Sequence, residues 1–426
     1  MVHRFKGGGI MEPEKISLLS SRMHEYVSQQ EFAGISLLYQ EKGDEPVFLA
    51  EGYADIEARR PMTRDTIFHL YSQTKPITAA AAMLLVQDGV IDLYDPVAKY
   101  IPSFLHQSVQ TVAGPVPARH PVTIRDLLNM TSGLVYPESR TQAEAATGLV
   151  FSDLLARLDT EHQMTTQEFA DRLGRCPLQF DPGTNWQYGT SADVLGAVIE
   201  IAAGMPLDAF MKERLFAPLG MEDTDFFVPE EKRDRLCQAY IRHGEEDLPA
   251  GTGKAASGNF GQLQATMESH QGSWLERYTG NNLGIRNDGG KNAFLSGGAG
   301  LFSTLGDYLR FARMLRKHGR AEDGRQILRP GAVRFMTTHQ LEPVQQASFH
   351  NWIGLDGHSY GNLMRVMVDR RQAGILGDDG EYGWDGWLGT YFANDPDRDA
   401  TLLLGIQRYD YGTGPCTRKL RNIVFS

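Results

Sequence analysis

The stretch His69–Gly89, HLYSQTKPITAAAAMLLVQDG, decides how the rest of the chain is read. From Ala79 to Val86 it is apolar, too long for a typical strand and rich in Ala, Met and Leu, which predicts a helix buried on nearly all sides. Ser72 and Lys75 stand three residues apart just before that run, so on a helix they share one face of the first turn. A serine hydroxyl is a weak nucleophile unless a neighbouring group takes its proton. An amine one turn away does this when burial and the positive end of the helix disfavour its ammonium form. The same tetrapeptide equally suits a plain helix start with a solvated lysine, and on its own it does not choose between the two. Pro76 disfavours the α conformation at Lys75 and has no N–H for the Ser72 carbonyl, so a distorted first turn is expected.

With 426 residues, 41% hydrophobic and 22% charged, the chain is of globular composition and long enough for a substantial core. A net charge of -11, read with no basic cluster in the sequence, argues against a nucleic-acid partner. Cys176, Cys237 and Cys416 are odd in number and widely separated, which suggests neither a disulfide framework nor a zinc site. The histidines show no metal-ligand spacing, so no metal or cofactor is expected. The N-terminal MVHRFKGGGIMEPEKIS has no apolar region of the secretory kind, and no run approaches a membrane span; a cytoplasmic protein with no membrane partner is the expectation. Residues 1–10 read as a flexible leader, with Met11 as an alternative start.

Taken in order, Ile16–Gln29 predicts an amphipathic helix, and Gly34–Gln40 and Pro46–Gly52 predict strands joined by the turn EKGDE. From Thr123 to about Gly220 helix signals dominate. Thr123 with Asp126 opens a helix as a capping box, Thr190 or Ser191 caps ADVLGAVIEIAA ahead of Gly204, and LDAFMKERLF stops at Pro218 and Gly220. Pro229–Lys291 is polar and Gly-rich; Gly251, Gly253 and Lys254 superficially suggest a phosphate loop, but Leu248 breaks the spacing and a surface loop is expected. Ser303 or Thr304 then caps a helix to Lys317, Pro330 starts another to about Thr338, and strands are expected at Leu363–Asp369, Leu388–Ala393 and Ala400–Gln407. Strands at both ends with helices between predict one sheet built from both termini.

Gly357-His358-Ser359-Tyr360-Gly361 matches the G-x-S-x-G nucleophile elbow, but no histidine lies downstream to act as base and the following sequence is strand-like, so a Gly-flanked turn is expected. Trp384 and Trp387, among Gly383, Gly386 and Gly389, suit either a packed strand or a close backbone approach to substrate. Tyr188 alone is an ordinary loop tyrosine.

Together, DTIFHLYSQTKPIT, VTIRDLLNMTSGL, DPGTNWQY, DVLGAVIE, FAPLGMEDTDF, SGGAGLFST and GWDGWLGT resemble the serine β-lactamase and penicillin-binding protein superfamily, in the order found in its class C β-lactamase-like members and family VIII carboxylesterases. The resemblance implies an α/β fold of the α+β kind: an antiparallel sheet flanked by helices, from residues 11–105 and 290–426, with a mostly helical subdomain, 106–289, inserted. It also implies Ser72 as nucleophile, Lys75 as the lysine assisting its deprotonation, Tyr188 as proton shuttle, and the N–H groups of Ser72 and Trp387 as the oxyanion hole. Two departures bear on substrate. Thr190 replaces the asparagine of Y-x-N, and Trp384-Asp385-Gly386 replaces K-T-G, so the site loses a lysine that faces substrate carboxylates and gains an indole followed by an acid. The expected substrate is therefore a small, neutral, partly apolar ester, with Thr190, Trp384, Asp385 and Gly386 beside it. An acyltransferase, a weak β-lactamase or D-amino-acid peptidase, and a non-catalytic binding protein are the alternatives.

Overall fold

Strands from the two ends of the chain pair with one another in the computed structural model, which describes residues 11–244, 273–353 and 355–426. The expected leader, residues 1–10, and Gly251, Gly253 and Lys254 lie outside the described residues. β1 (Gly34–Glu41) and β2 (Val47–Asp55) form the expected hairpin, turning at Lys42 and Gly43, both with positive φ. The other edge of β1 takes the strand Ala400–Gly405, with Leu38 opposite Leu403. The antiparallel sheet has eight strands: 358–361, 364–367, 382–385, 391–395 and 400–405, then β1, β2 and β3 (Arg60–Pro61).

Strand side chains alternate faces, and both faces of this sheet are covered. Leu37 and Leu404 pack under α1 (Pro13–Ser28) and the helix Pro415–Phe425, against Leu19, Met23, Leu420 and Val424. Leu38 and Leu403 face the other way, into a core shared with Phe311 and Ala312 of the helix Leu305–Arg316 and with α2 (Lys75–Gln87). Every residue of α2 from Lys75 to Leu85 is buried, as its composition predicts. β4 (Phe68–His69) leads into it and pairs with Phe302–Ser303.

The helices between the two sets of strands include α3 (Ile124–Asn129), α4 (Gln142–Arg157), α5 (Thr166–Leu173) and α6 (Ser191–Ala203), with α6 packed on α2, α3 and α5. Thr123 and Asp126 make the expected capping box, and Thr304 caps its helix through the Asp307 N–H. Gly204 ends α6 at φ 68°. α6 itself has no side-chain cap: Thr190 stands at the cap position with its hydroxyl turned away, and the Ser191 hydroxyl pairs with Ser132 at 2.8 Å. The helix begun by Leu207 does not stop at Pro218. It widens into a π turn at Lys212–Phe216, which accommodates the missing N–H of the proline, and ends at Gly220. The expected strand Leu388–Ala393 begins later, at Tyr391, because residues 386–390 close a turn through Gly386 N–H to Thr390 O at 2.7 Å. A hairpin, Tyr240–His243 with Trp274–Arg277, lies where no element was expected. Among the described residues no single helix is long and apolar enough to cross a membrane.

Two histidines are sealed in this frame as neutral rings. Burial pushes His69 and His358 down from 6.5 to about 4. Below pH 6.5 the unfolded chain takes up protons that the folded chain refuses, so stability is expected to fall from there to about pH 4, each histidine contributing on the order of 3 kcal/mol. Urea unfolding of wild type and His358→Phe at about pH 7 and about pH 5 checks this, the variant losing less stability between the two than wild type.

Candidate active site

The turn carrying Ser72 is fixed from both sides. Leu70 N–H donates to Leu301 O at 2.9 Å, and Tyr71 then reverses the chain in the left-handed region at φ 44°, a conformation costing a non-glycine residue about 1 kcal/mol or more. Tyr71–Thr74 form a 3-10 turn that runs into α2 at Lys75. The distortion expected from Pro76 takes this form: the Lys75 N–H bonds the Ser72 carbonyl that Pro76 cannot serve. Lys75 itself is nevertheless α-helical, at φ −55° and ψ −44°. Ser72 is left half-buried and Lys75 fully buried.

The Lys75 Nζ lies 3.1 Å from Ser72 Oγ, 3.2 Å from the Tyr136 hydroxyl and 2.9 Å from Gly298 O, and stands 4.6 Å from the centre of the Tyr188 ring. Gly298 is held in turn by Asp193 of α6, which accepts from Ser296 Oγ at 2.5 Å and from Gly298 N–H at 3.0 Å. Thr78 of α2 donates to Gly297 O at 2.7 Å. Residue 297 must be glycine, because a Cβ there would run into the Ala192 carbonyl of α6. Burial pushes the Asp193 carboxyl up, while the Lys75 charge and its hydrogen bonds pull it down. Burial also holds the Tyr136 phenol well above its ordinary value, so it stays neutral at physiological pH.

Tyr188 approaches from the loop before α6, and the Trp384 indole N–H donates to its hydroxyl at 3.1 Å. Trp384 is buried against Tyr360, their rings 5.1 Å apart edge to face, and Tyr188 also packs on Tyr136 at 5.6 Å. Beyond Trp384 the strand end lies against the Ser72 turn. A side chain at Gly386 would strike the Leu70 carbonyl, Thr390 Oγ1 donates to Leu70 O at 3.2 Å, and the Trp387 ring meets Tyr71 at 5.1 Å. The loop after the last strand clasps this segment: Gly412 N–H donates to Trp387 O at 3.0 Å, Arg408 N–H to Leu388 O at 2.9 Å, and the Trp387 indole to Asp410 at 2.9 Å.

The structure thus brings together Ser72, Lys75, Tyr188, Trp384 and Trp387. Two expected substrate neighbours point elsewhere. Thr190 is fully buried with its hydroxyl towards Val135 O at 3.4 Å. Asp385, on the face of its strand opposite Trp384, pairs with buried Arg365 at 2.5 Å and accepts from Thr413, so its charge is neutralised inside the protein. Gly386 acts by letting backbone meet backbone. Ser359 sits buried on a strand of a hairpin, Tyr360 opposite Arg365, with no helix after it. Tyr136, Asp193, Gly298 and Asp410 were not singled out in the sequence. None belongs to a spacing that chemistry demands, and each matters through a contact distant along the chain. Among the described residues no group of histidine, cysteine and carboxylate side chains could hold a metal ion.

The chain belongs to the beta-lactamase family, whose model matches residues 19–415, and is a serine hydrolase on the β-lactamase-like fold. Esterase EstB of Burkholderia gladioli is 31% identical over 392 residues, 88% of this chain and 86% of its own. Protein Rv1367c of Mycobacterium tuberculosis is 33% identical over 373 residues, 84% of this chain and 81% of its own. The solved structure of EstCE1, "a hydrolase with promiscuous acyltransferase activity", shares the fold with a TM-score of 0.74, at 24% identity over 97% of this chain and 98% of its own. Within the family the chain stands close to the family VIII esterases.

Two substitutions test the geometry. Trp384→Phe keeps the aromatic packing but removes the donor to Tyr188, and kcat for ester hydrolysis is expected to fall about tenfold or more with little change in folding. Asp385→Ala strands the buried Arg365 charge and is expected to lower stability by on the order of 3 kcal/mol in urea melts. The preference between neutral and carboxylate-bearing esters should stay as in wild type, whereas an acid facing substrate would shift it.

Proposed function

We propose that this serine hydrolase cleaves small, neutral carboxylic esters through an acyl-enzyme on Ser72. The observation that carries the reading is the placing of Ser72 Oγ 3.1 Å from a Lys75 nitrogen that Gly298 O, Tyr136 and the Tyr188 ring hold in position. In this reading Ser72 Oγ attacks the ester carbonyl carbon as its proton passes to the Lys75–Tyr188 pair. The carbonyl oxygen takes the negative charge, facing the N–H groups of Ser72 and Trp387. Each such donor stabilises charge absent from the ground state, a contribution of about 3 kcal/mol. Tyr188 returns the proton to the leaving alkoxide as the C–O bond breaks. Water then adds to the acyl-Ser72 carbonyl, giving up its proton along the same route, and the acid leaves with Ser72 reprotonated.

An ester is favoured over a carboxylate-bearing lactam or peptide by Trp384, which stands where the K-T-G lysine would be, and by Arg365, which is committed to Asp385. The similarity to EstB supports the same substrate class. Because an acyl-enzyme can be resolved by an alcohol as well as by water, acyl transfer is the companion reaction to look for.

Wild type is expected to hydrolyse p-nitrophenyl acetate and butyrate and to be labelled by a fluorophosphonate at Ser72. Ser72→Ala should lose both properties, and Tyr188→Phe should lose about a hundredfold or more in kcat. Full turnover in Ser72→Ala, or label on Ser359, refutes the assignment. Adding methanol and measuring methyl ester against free acid separates transfer from hydrolysis.

A further inference from the structure

A second site lies among residues remote from those around Ser72. The end of the helix Leu305–Arg316, the loop after it and the helix Pro330–Met336 enclose a groove of about 1050 Å³. Arg310, Arg313, Arg316, Lys317, Arg320 and Arg334 line it, against only two carboxylates, Glu322 and Asp399. Six cations less two anions leave a surplus of four positive charges, in a chain whose net charge is -11. No basic cluster was expected from the sequence, yet five of the six cations fall within residues 310–320, and the fold adds Arg334 beside them.

Internal pairing does not absorb the surplus. Glu322 serves both Arg310 and Arg313, and Asp399 serves Arg316. Arg313 and Arg316 also both donate to the side-chain oxygen Oε1 of Gln40, at 2.6 and 2.9 Å. The Arg316 side chain is only 2% exposed, yet its Nε has no hydrogen-bond partner. The exposed head groups of Lys317 and Arg334 have neither a carboxylate nor a hydrogen-bond partner among the described residues. Two helix C-termini end at the groove and attract cations, but each carries only about half a negative charge, so together they offset about one of the four. Guanidinium groups bind phosphate oxygens in pairs, and Met314, Pro330, Val333 and Tyr382 give the groove an apolar floor beneath its charged rim.

We propose that this groove binds a phosphate-bearing ligand with an apolar body, as a soluble phosphate ester or as a phospholipid headgroup. The proposal is independent of the chemistry at Ser72.

ATP and pyrophosphate, followed by titration calorimetry, probe the soluble source. Phosphatidylcholine vesicles with and without phosphatidic acid, followed by co-sedimentation, probe the lipid source. Wild type is expected to bind one of the two classes, more weakly as salt is raised. The double variant Lys317→Glu/Arg334→Glu reverses two exposed, unpartnered charges; it should weaken binding about tenfold or more while leaving ester hydrolysis unchanged. Binding of the soluble probes alone identifies a phosphate ester, and binding of acidic vesicles alone a headgroup. Failure of wild type to bind either class, or binding that the double variant leaves intact, overturns the proposal.

Discussion

The hydrogen bond from Lys75 to Gly298 O is the constraint on which the site depends. A buried ammonium or amine nitrogen must have its N–H groups met by protein atoms, and here the main acceptor is a main-chain carbonyl that cannot ionise or swing away. That carbonyl is placed by two helices at once, α6 through Asp193 and α2 through Thr78. Lys75 is therefore positioned by the packing of α2 on α6, and the large sheet supports α2 from its other side. The order of dependence runs from core packing to loop 296–301, from the loop to Lys75, and from Lys75 to Ser72.

How much of this was legible in the sequence follows from the range of each signal. Local signals read well. The Thr123–Asp126 box, the Thr304 cap, Gly204 and the apolar run of α2 depend on a few neighbouring residues, and the structure has them as expected. Ser72 and Lys75 were legible for the same reason, being one turn apart. Asp385 was misread because its neighbour in sequence, Trp384, faces the site and strand alternation turns the next side chain away, towards an arginine 20 positions earlier. Thr190 was misread because motif position was taken for side-chain direction, and its hydroxyl is closed off by Val135. Tyr136 had no pattern to mark it; only a contact 61 positions away in sequence makes it part of the Lys75 environment.

Charge is handled in two ways in this molecule. In the interior, buried charges are paired or held by hydrogen bonds: Asp385 with Arg365, Glu381 with Arg421, Asp193 with Ser296 and the Gly298 amide. Such pairing fixes the geometry of the groups it joins. At the groove beside Arg316 the balance is left open, and surplus positive charge meets solvent. The first arrangement favours a rigid interior; the second favours capture of something oppositely charged.

The clasp of residues 408–412 over Trp387 and Leu388 has a bearing on when the surroundings of Ser72 are completed during synthesis. The serine turn and the segment laid against it are bridged by Thr390 and Leu70, 320 positions apart. On the ribosome, Ser72 emerges long before the backbone that completes its surroundings, and that backbone is secured only after the strand Ala400–Gly405 has entered the sheet beside β1. A nascent chain consequently carries Ser72 before the segment that packs against its turn is in place.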